Sequence, residues 1–520
     1  MGRGQLRTWL LAAGTGSLSG LLFWLSIPKA DLYLLAWVCL VPGFVLVARR
    51  PCPAPGLVGL GGGLVAGVGR IYWLGDTLQS YGSLSAPLAW LTTALLVLYL
   101  ALYWACFFAL CSRFTFFSPL FSWTAAGVWV LLEWAQNWVI TGFPWELLGY
   151  SQYLNRPVLQ LASLTGVYGL SFLLVVVNAT VAQALVWRSL RLAVVGPPLA
   201  LLVVVVVWGD WRSRSLEEEP AADLAMGIVQ GNVPQGEKWR STPAWTTRRY
   251  AELVRALARD HRLDLVVLPE TALPFYFRDS SRAEFGQEIA DLARQTRTPL
   301  LVGSLERVGD AVYNRAFLID TTGAVSGYSE KAHLVPFGEY LPLPWLFQYL
   351  EGLTAESGAF APGTRHRPLR LSAGGPEFGV FICYESIFPE ISRTLARQGA
   401  AFLVNTTNDA WFGRSAAPYQ HFSMAVVRAV ETGRPVLRVA NTGISGCISP
   451  TGRIVLATAL FETVALSVPL TPRSASTFYL RWGDTFLVAC GLFLAARLAT
   501  HAAGGTRRIA QLAGRAVLRG

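Results

Sequence analysis

Phe378-Gly-Val-Phe-Ile382, followed directly by Cys383-Tyr384-Glu385-Ser386, decides how the middle of this 520-residue chain folds. Five apolar residues in a row are too few for a helix and suit a buried strand; a helix is expected just beyond, near 387–398. The same alternation extends outward on both sides. Leu224–Val229 reads as a strand and Ala244–His261 as an amphipathic helix. Leu263–Leu268 is a strand, Arg282–Thr296 a helix and Pro299–Ser304 a strand. Phe402–Asn405 and Pro435–Ala440 are further strands, separated by a helix near 417–432. Short buried strands alternating with helices imply an α/β domain with a mixed sheet covered by helices. The polar region, 212–481, is long enough to bury a full core.

Both flanks have a different composition. Hydrophobic residues are 53% of the whole chain and charged residues only 14%, where soluble domains carry about 25% charged residues. Apolar runs long enough to span a bilayer fall near 9–27, 31–48, 56–75, 86–111, 121–140, 158–187, 192–209 and 483–500. The expected organisation is a seven-helix transmembrane bundle over 1–211, an exported domain over 212–481, and a final span with a basic tail over 482–520. Gly59, Gly63 and Gly67 recur every four residues, a pattern that lets neighbouring helices approach closely. Glu133 lies within an apolar span, where an acid must face protein or water; a structural contact and a role near substrate are both open.

The net charge of +11 is no nucleic-acid footprint, because the excess sits beside the apolar spans and the middle is nearly neutral. Arg3, Arg7, Arg49, Arg50, Arg113, Arg188, Arg191, Arg497, Arg507, Arg508, Arg515 and Arg519 fall on one side of the expected spans. Only Lys29, Arg70 and Arg156 fall in short loops on the other. This asymmetry places both termini in the cytoplasm and the middle domain in the periplasm of a bacterial inner membrane.

Of seven cysteines, only Cys383 and Cys447 belong to the exported domain. A disulfide between them is possible in an oxidising compartment, but their contexts differ. Cys383 stands at a strand exit facing a helix N-terminus, whose positive end would stabilise a thiolate. A buried structural thiol is the alternative. Glu270 closes a strand in Leu-Pro-Glu270-Thr-Ala-Leu-Pro, a position where side chains converge on ligands, although a surface acid would look the same. Lys331 is one of only two lysines in the domain, the other being Lys238, and reads as a fixed compact cation or a solvated one. The apolar segment Leu341–Pro362 is expected to act as a lid or to pack on its own domain. The five histidines show no ligand spacing and no phosphate-binding glycine loop precedes a helix, so neither a metal nor a nucleotide cofactor is expected.

Taken together, Glu270 in LPETALP, Lys331 in EKAHLVPFGEYLP and Cys383 in FICYESIFPE resemble the Glu-Lys-Cys triad of the nitrilase superfamily. GNVPQGEKW (Gly231–Trp239), YNRAF (Tyr313–Phe317), VNTTNDAWFG (Val404–Gly413), RVANTGISG (Arg438–Gly446) and EWAQNWVITGFPWELLGYSQ (Glu133–Gln152) narrow the resemblance to the membrane-bound apolipoprotein N-acyltransferases. It covers nearly the whole chain and implies an α-β-β-α sandwich joined to about eight spans. It also implies acyl transfer from the sn-1 position of a phospholipid, through a cysteine thioester, to the α-amine of a diacylglyceryl-cysteine at an apolipoprotein N-terminus. Glu270 is then the base, Cys383 the nucleophile, and Lys331 with the Tyr384 N–H the oxyanion holder. Supporting roles fall to Glu339, Tyr384, Glu385, Trp239 and Asn314. No nucleic-acid partner is expected, and the chain is read as a monomer. Two rivals share parts of the pattern: a membrane-tethered nitrilase-type amidase that hydrolyses its acyl-enzyme, and a transporter or scaffold with a ligand-binding exported domain.

Overall fold

The computed structural model describes residues 3–49, 54–82, 84–187, 192–218, 223–238, 243–340, 360–364 and 366–500. Among them, Gln5–Ser26, Ala86–Cys111, Val167–Trp187 and Leu192–Glu217 are helices long and apolar enough to cross a membrane. Pro55–Ile71 and Trp73–Tyr81, bent by 48°, make a fifth if taken as one span, and Tyr33–Ala48 and Thr485–Thr500 are shorter apolar helices. A further helix, Phe121–Ala135, carries Glu133. Leu91, Leu95, Leu199 and Val207 point outward from the long helices and Leu492 from a shorter one, an apolar surface that only lipid would solvate without cost.

The expected glycine seam is real. A Cβ on Gly59 would lie 2.1 Å from the Trp104 carbonyl oxygen, and one on Gly63 would lie 2.5 Å from Ala101 Cα, so Pro55–Ile71 and Ala86–Cys111 pack backbone to backbone. Glu133 Oε1 accepts the Leu148 N–H at 2.9 Å, which gives it a structural contact. The apolar run near 158–187 is not one helix. Gly166, at φ +65°, interrupts it, and the long helix starts only at Val167.

Among the described residues, the middle of the chain supplies thirteen strands: β1 Leu224–Gln230, β2 Leu265–Val267, β3 Leu273–Tyr276, β4 Leu300–Val308, β5 Ala311–Ile319, β6 Val325–Glu330, β7 Leu369–Arg370, β8 Glu377–Ile382, β9 Phe402–Thr407, β10 Val436–Ala440, β11 Gly446–Ile448, β12 Ile454–Ala457 and β13 Val464–Leu470. One sheet runs β13-β1-β2-β4-β5-β6, with β3 also on β4; the second runs β12-β11-β10-β9-β8-β7. Each sheet has a parallel centre, and antiparallel strands at its flanks. Their inner faces meet in a core that includes Ile228, Val267 and Leu318 from the first sheet and Phe378, Val404 and Val439 from the second. Helices Pro243–Asp260 and Ala283–Thr296 cover the first sheet through Tyr250, Val254, Ile289 and Leu292. Helices Pro389–Arg397 and Ala417–Thr432 cover the second, and their core runs on without a break into the membrane helices. The layers are therefore helix, sheet, sheet, helix, with the last helical layer seated on the bundle.

Candidate active site

Three strand ends bring the site together. Glu270 follows β2, Lys331 follows β6 and Cys383 follows β8, so each side chain is fixed by a short turn off a rigid strand. Gly303 on β4 makes room for the first turn, because a Cβ there would lie 2.3 Å from the Pro269 carbonyl oxygen and 2.9 Å from Glu270 Cα. The Lys331 N–H donates to the Asn314 carbonyl at 2.9 Å, which holds the end of β6 on β5.

Lys331 is 1% exposed, and its ammonium donates to Glu270 Oε1 at 3.2 Å and to Glu339 Oε1 at 2.7 Å. Burial works against that charge, but the two carboxylates outweigh it and hold the Lys331 pKa well above its usual value. Asn314 Nδ2 donates to Glu270 Oε1 at 2.8 Å, so the carboxylate is aimed from two directions. Glu339 in turn accepts the Val335 N–H at 2.8 Å, and burial raises its pKa.

Cys383 departs from expectation. The α-helix after β8 begins only at Pro389, and a 3-10 turn, Cys383–Ile387, lies between. Burial, helped by the nearby Glu270 charge, pushes the thiol up to about 12, and Lys331 offsets only part of this. The resting sulfur is thus a protonated thiol that needs a base, rather than a thiolate poised on a helix end. Its backbone is at φ +55°, a strained setting for a residue with a side chain, which costs on the order of 1–3 kcal/mol and must be held by its surroundings. Both Cys383 and Cys447 are free thiols.

Glu385 is 1% exposed and accepts three backbone N–H groups: Ile382 at 2.7 Å, Ala332 at 2.8 Å and His333 at 3.0 Å. It clamps the nucleophile turn to the lysine turn from beneath. Tyr384 reaches the membrane part instead, where its hydroxyl meets the Gly142 carbonyl at 3.4 Å and its ring stacks on Phe143. The His333 ring packs against Phe388 with centroids 3.8 Å apart and a 32° tilt, and burial with the Lys331 charge lowers its pKa to about 4, so it is neutral. Trp239 and residues 341–359 of the expected lid lie outside the described residues.

Sequence reasoning missed a second layer behind the sulfur. His421 Nε2 lies 3.0 Å from the Cys383 carbonyl oxygen, and its Nδ1 lies 2.9 Å from Asp409 Oδ1. Arg438 donates to Asp409 Oδ2 at 2.7 Å and also pairs with the Asn405 side-chain oxygen. Burial acts against the Asp409 carboxylate, but Arg438 and His421 outweigh it and hold its pKa at about 2. One signal was available: Arg438 interrupts the otherwise apolar β10, where a buried charge must have a partner.

This fold and triad geometry define a carbon-nitrogen hydrolase domain set on a helical membrane bundle. The family described as carbon-nitrogen hydrolase matches residues 226–472, and the apolipoprotein N-acyltransferase N-terminal domain family matches residues 19–180. The chain is 39% identical over 497 residues to an apolipoprotein N-acyltransferase of Geobacter metallireducens, with 93% of each chain covered. It is 31% identical over 492 residues to that of Photobacterium profundum, with 91% of each covered. The chain belongs to the apolipoprotein N-acyltransferase family. Among solved structures it is similar to an amidase of the nitrilase superfamily from Nesterenkonia, at 18% identity and a TM-score of 0.40, over 52% of this chain and 98% of that one.

Proposed function

We propose that Cys383 carries the acyl chain between two lipid substrates in a two-step transfer. That the protein N-acylates lipoproteins follows from its family, whose substrates are phospholipid and lipoprotein; the assignment of each step to a residue is our reading. The single observation that carries it is the buried Lys331 ammonium shared by Glu270 and Glu339 beside a protonated thiol.

In the first step Glu270 takes the proton from Cys383 Sγ, and the sulfur attacks the sn-1 ester carbonyl of the phospholipid. The S–C bond forms, the ester C–O bond breaks, and the leaving oxygen takes the proton back from Glu270, giving a thioester and a lysophospholipid. Lys331 and the Tyr384 N–H stabilise the intervening oxyanion. In the second step the α-amine of the diacylglyceryl-cysteine attacks the thioester. The N–C bond forms, the C–S bond breaks, and Glu270 relays the amine proton to the departing sulfur. Glu339 holds Lys331, Asn314 aims Glu270, and Glu385 fixes both turns. Tyr384, whose ring stacks on Phe143, borders the acyl pocket.

We place a seven-span bundle at 1–211, the catalytic domain at 212–481 in the periplasm, and a last span with a cytoplasmic tail at 482–520. This arrangement supports the chemistry. Extracting a fatty chain into water costs about 0.8 kcal/mol per CH₂, which sideways access from the bilayer avoids. The test is to incubate purified protein with phospholipid and a diacylglyceryl-cysteine peptide and follow both masses. The peptide gains one acyl group with wild type and none with Cys383→Ala. Release of free fatty acid beside an unmodified peptide would show a hydrolase instead.

A further inference from the structure

We infer that His421 is a positioning residue for acyl transfer: by holding the Cys383 carbonyl it aims the Tyr384 N–H at the developing oxyanion. The inference rests on the reading of Cys383 as the acyl carrier.

A carbonyl oxygen only accepts hydrogen bonds, so the 3.0 Å contact with the Cys383 oxygen requires a proton on His421 Nε2. Nδ1 faces Asp409 Oδ1 at 2.9 Å and Arg438 Nη2 at 3.0 Å, so it has a partner whether or not it is protonated. Thr407 Oγ1 donates to the same Asp409 oxygen at 3.1 Å. On the other side, Gly443 leaves the space Asp409 needs, since a Cβ there would lie 2.3 Å from Oδ2. The imidazole is therefore fixed in place and orientation.

The peptide unit then transmits that orientation. In a planar trans peptide the carbonyl of one residue and the N–H of the next point in opposite directions. Holding the Cys383 carbonyl sets the direction of the Tyr384 N–H, the group assigned to the oxyanion. This linkage also accounts for the strained φ of +55° at Cys383, which a turn left to itself would relax. Asp409, His421 and Arg438 are each at most 1% exposed. Buried ion pairs add little net stability over well-packed apolar residues, so orientation is the better account of their presence.

His421 also lies on the helix that seats the domain on the bundle. Its neighbour Gln420 accepts the Trp145 indole N–H at 2.8 Å and donates to the Gly69 carbonyl at 3.2 Å. The Trp145 ring packs on the imidazole, with centroids 5.6 Å apart. The membrane helices thereby help to set the oxyanion donor.

The test compares two reactions of Cys383 in full-length protein. Acylation by a fluorescent phospholipid needs the oxyanion donor; alkylation by iodoacetamide forms no oxyanion and does not. His421→Leu should slow acylation roughly 10- to 100-fold. Its KM for the phospholipid and its alkylation rate should each stay within about threefold of wild type. His421→Gln, whose amide can donate to the same carbonyl, should regain most of the acylation rate. A parallel fall in alkylation, an unchanged acylation rate in His421→Leu, or a loss in His421→Gln equal to that in His421→Leu would overturn the inference. If His421→Leu does not fold, Asp409→Asn with His421→Gln reads the same contrast. Failure of wild type to form any adduct at Cys383 would instead sink the acyl-carrier reading itself.

Discussion

At the scale of single residues, the site separates the nucleophile from its activation. With its thiol pushed up to about 12, Cys383 stays protonated at neutral pH. Deprotonation outside the reaction needs rising pH, so alkylation of Cys383, followed by mass spectrometry, should climb about tenfold per pH unit from 7 to 10 without levelling. A plateau below pH 8 would indicate a preformed thiolate. Glu385 permits a second forecast. Its carboxylate accepts three backbone N–H groups that bind two turns together. Glu385→Leu leaves those donors unpaired and should lower stability by about 3 kcal/mol, read from thermal unfolding, with loss of acylation. Glu270 and Cys383 stood out because each closes an apolar run, and Lys331 because it is one of only two lysines in the polar domain. Glu339 and Asn314 were legible only through family resemblance, since nothing in their local spacing says that they meet Lys331 and Glu270. The helix-end stabilisation expected for a Cys383 thiolate is outweighed by burial, because sequence shows which strand precedes Cys383 but not how deeply the chain buries it.

At the scale of elements, the parallel strands at the centre of each sheet were readable and several flanking ones were not. β1, β8, β9 and β10 are buried along most or all of their length, so each shows an apolar stretch, interrupted in β10 by Arg438. β12 alternates between half-buried and exposed positions, and β6 carries two serines and a glycine. Such strands are set by pairing with a neighbour, which a single sequence does not display. The glycine seam, by contrast, was visible as a four-residue period. Gly59→Leu would push a side chain into the Trp104 backbone, 2.1 Å from the first added carbon. It should destabilise the bundle by at least about 1–3 kcal/mol, seen as earlier heat aggregation in detergent. Gly14 has no heavy atom within 4 Å of such a carbon, and Gly14→Ala should leave that temperature unchanged.

At the scale of the whole molecule, the buried helix Ala417–Thr432 carries a chain of polar ties that key the catalytic domain into the bundle. Gln420 reaches Gly69 and Pro28, Ser423 reaches Glu146, and Arg428 donates to the Tyr150 hydroxyl. Glu431 accepts the N–H of Val167, which opens a long apolar helix. Gln420→Leu should cost about 2 kcal/mol or more and reduce transfer, because the Trp145 indole N–H loses its acceptor and the Pro28 and Gly69 carbonyls lose a donor. None of these ties was legible beforehand, since each joins residues more than 260 positions apart. The account as a whole asks that a fatty chain come to rest on one sulfur. Intact-mass analysis of the protein after exposure to phospholipid, with no acceptor present, tests this directly. The expected result is a gain of one acyl group mapped to Cys383, removed by hydroxylamine and passed to a diacylglyceryl-cysteine peptide when one is added. Turnover of that peptide with no adduct at Cys383, or unchanged turnover in Cys383→Ala, would contradict it.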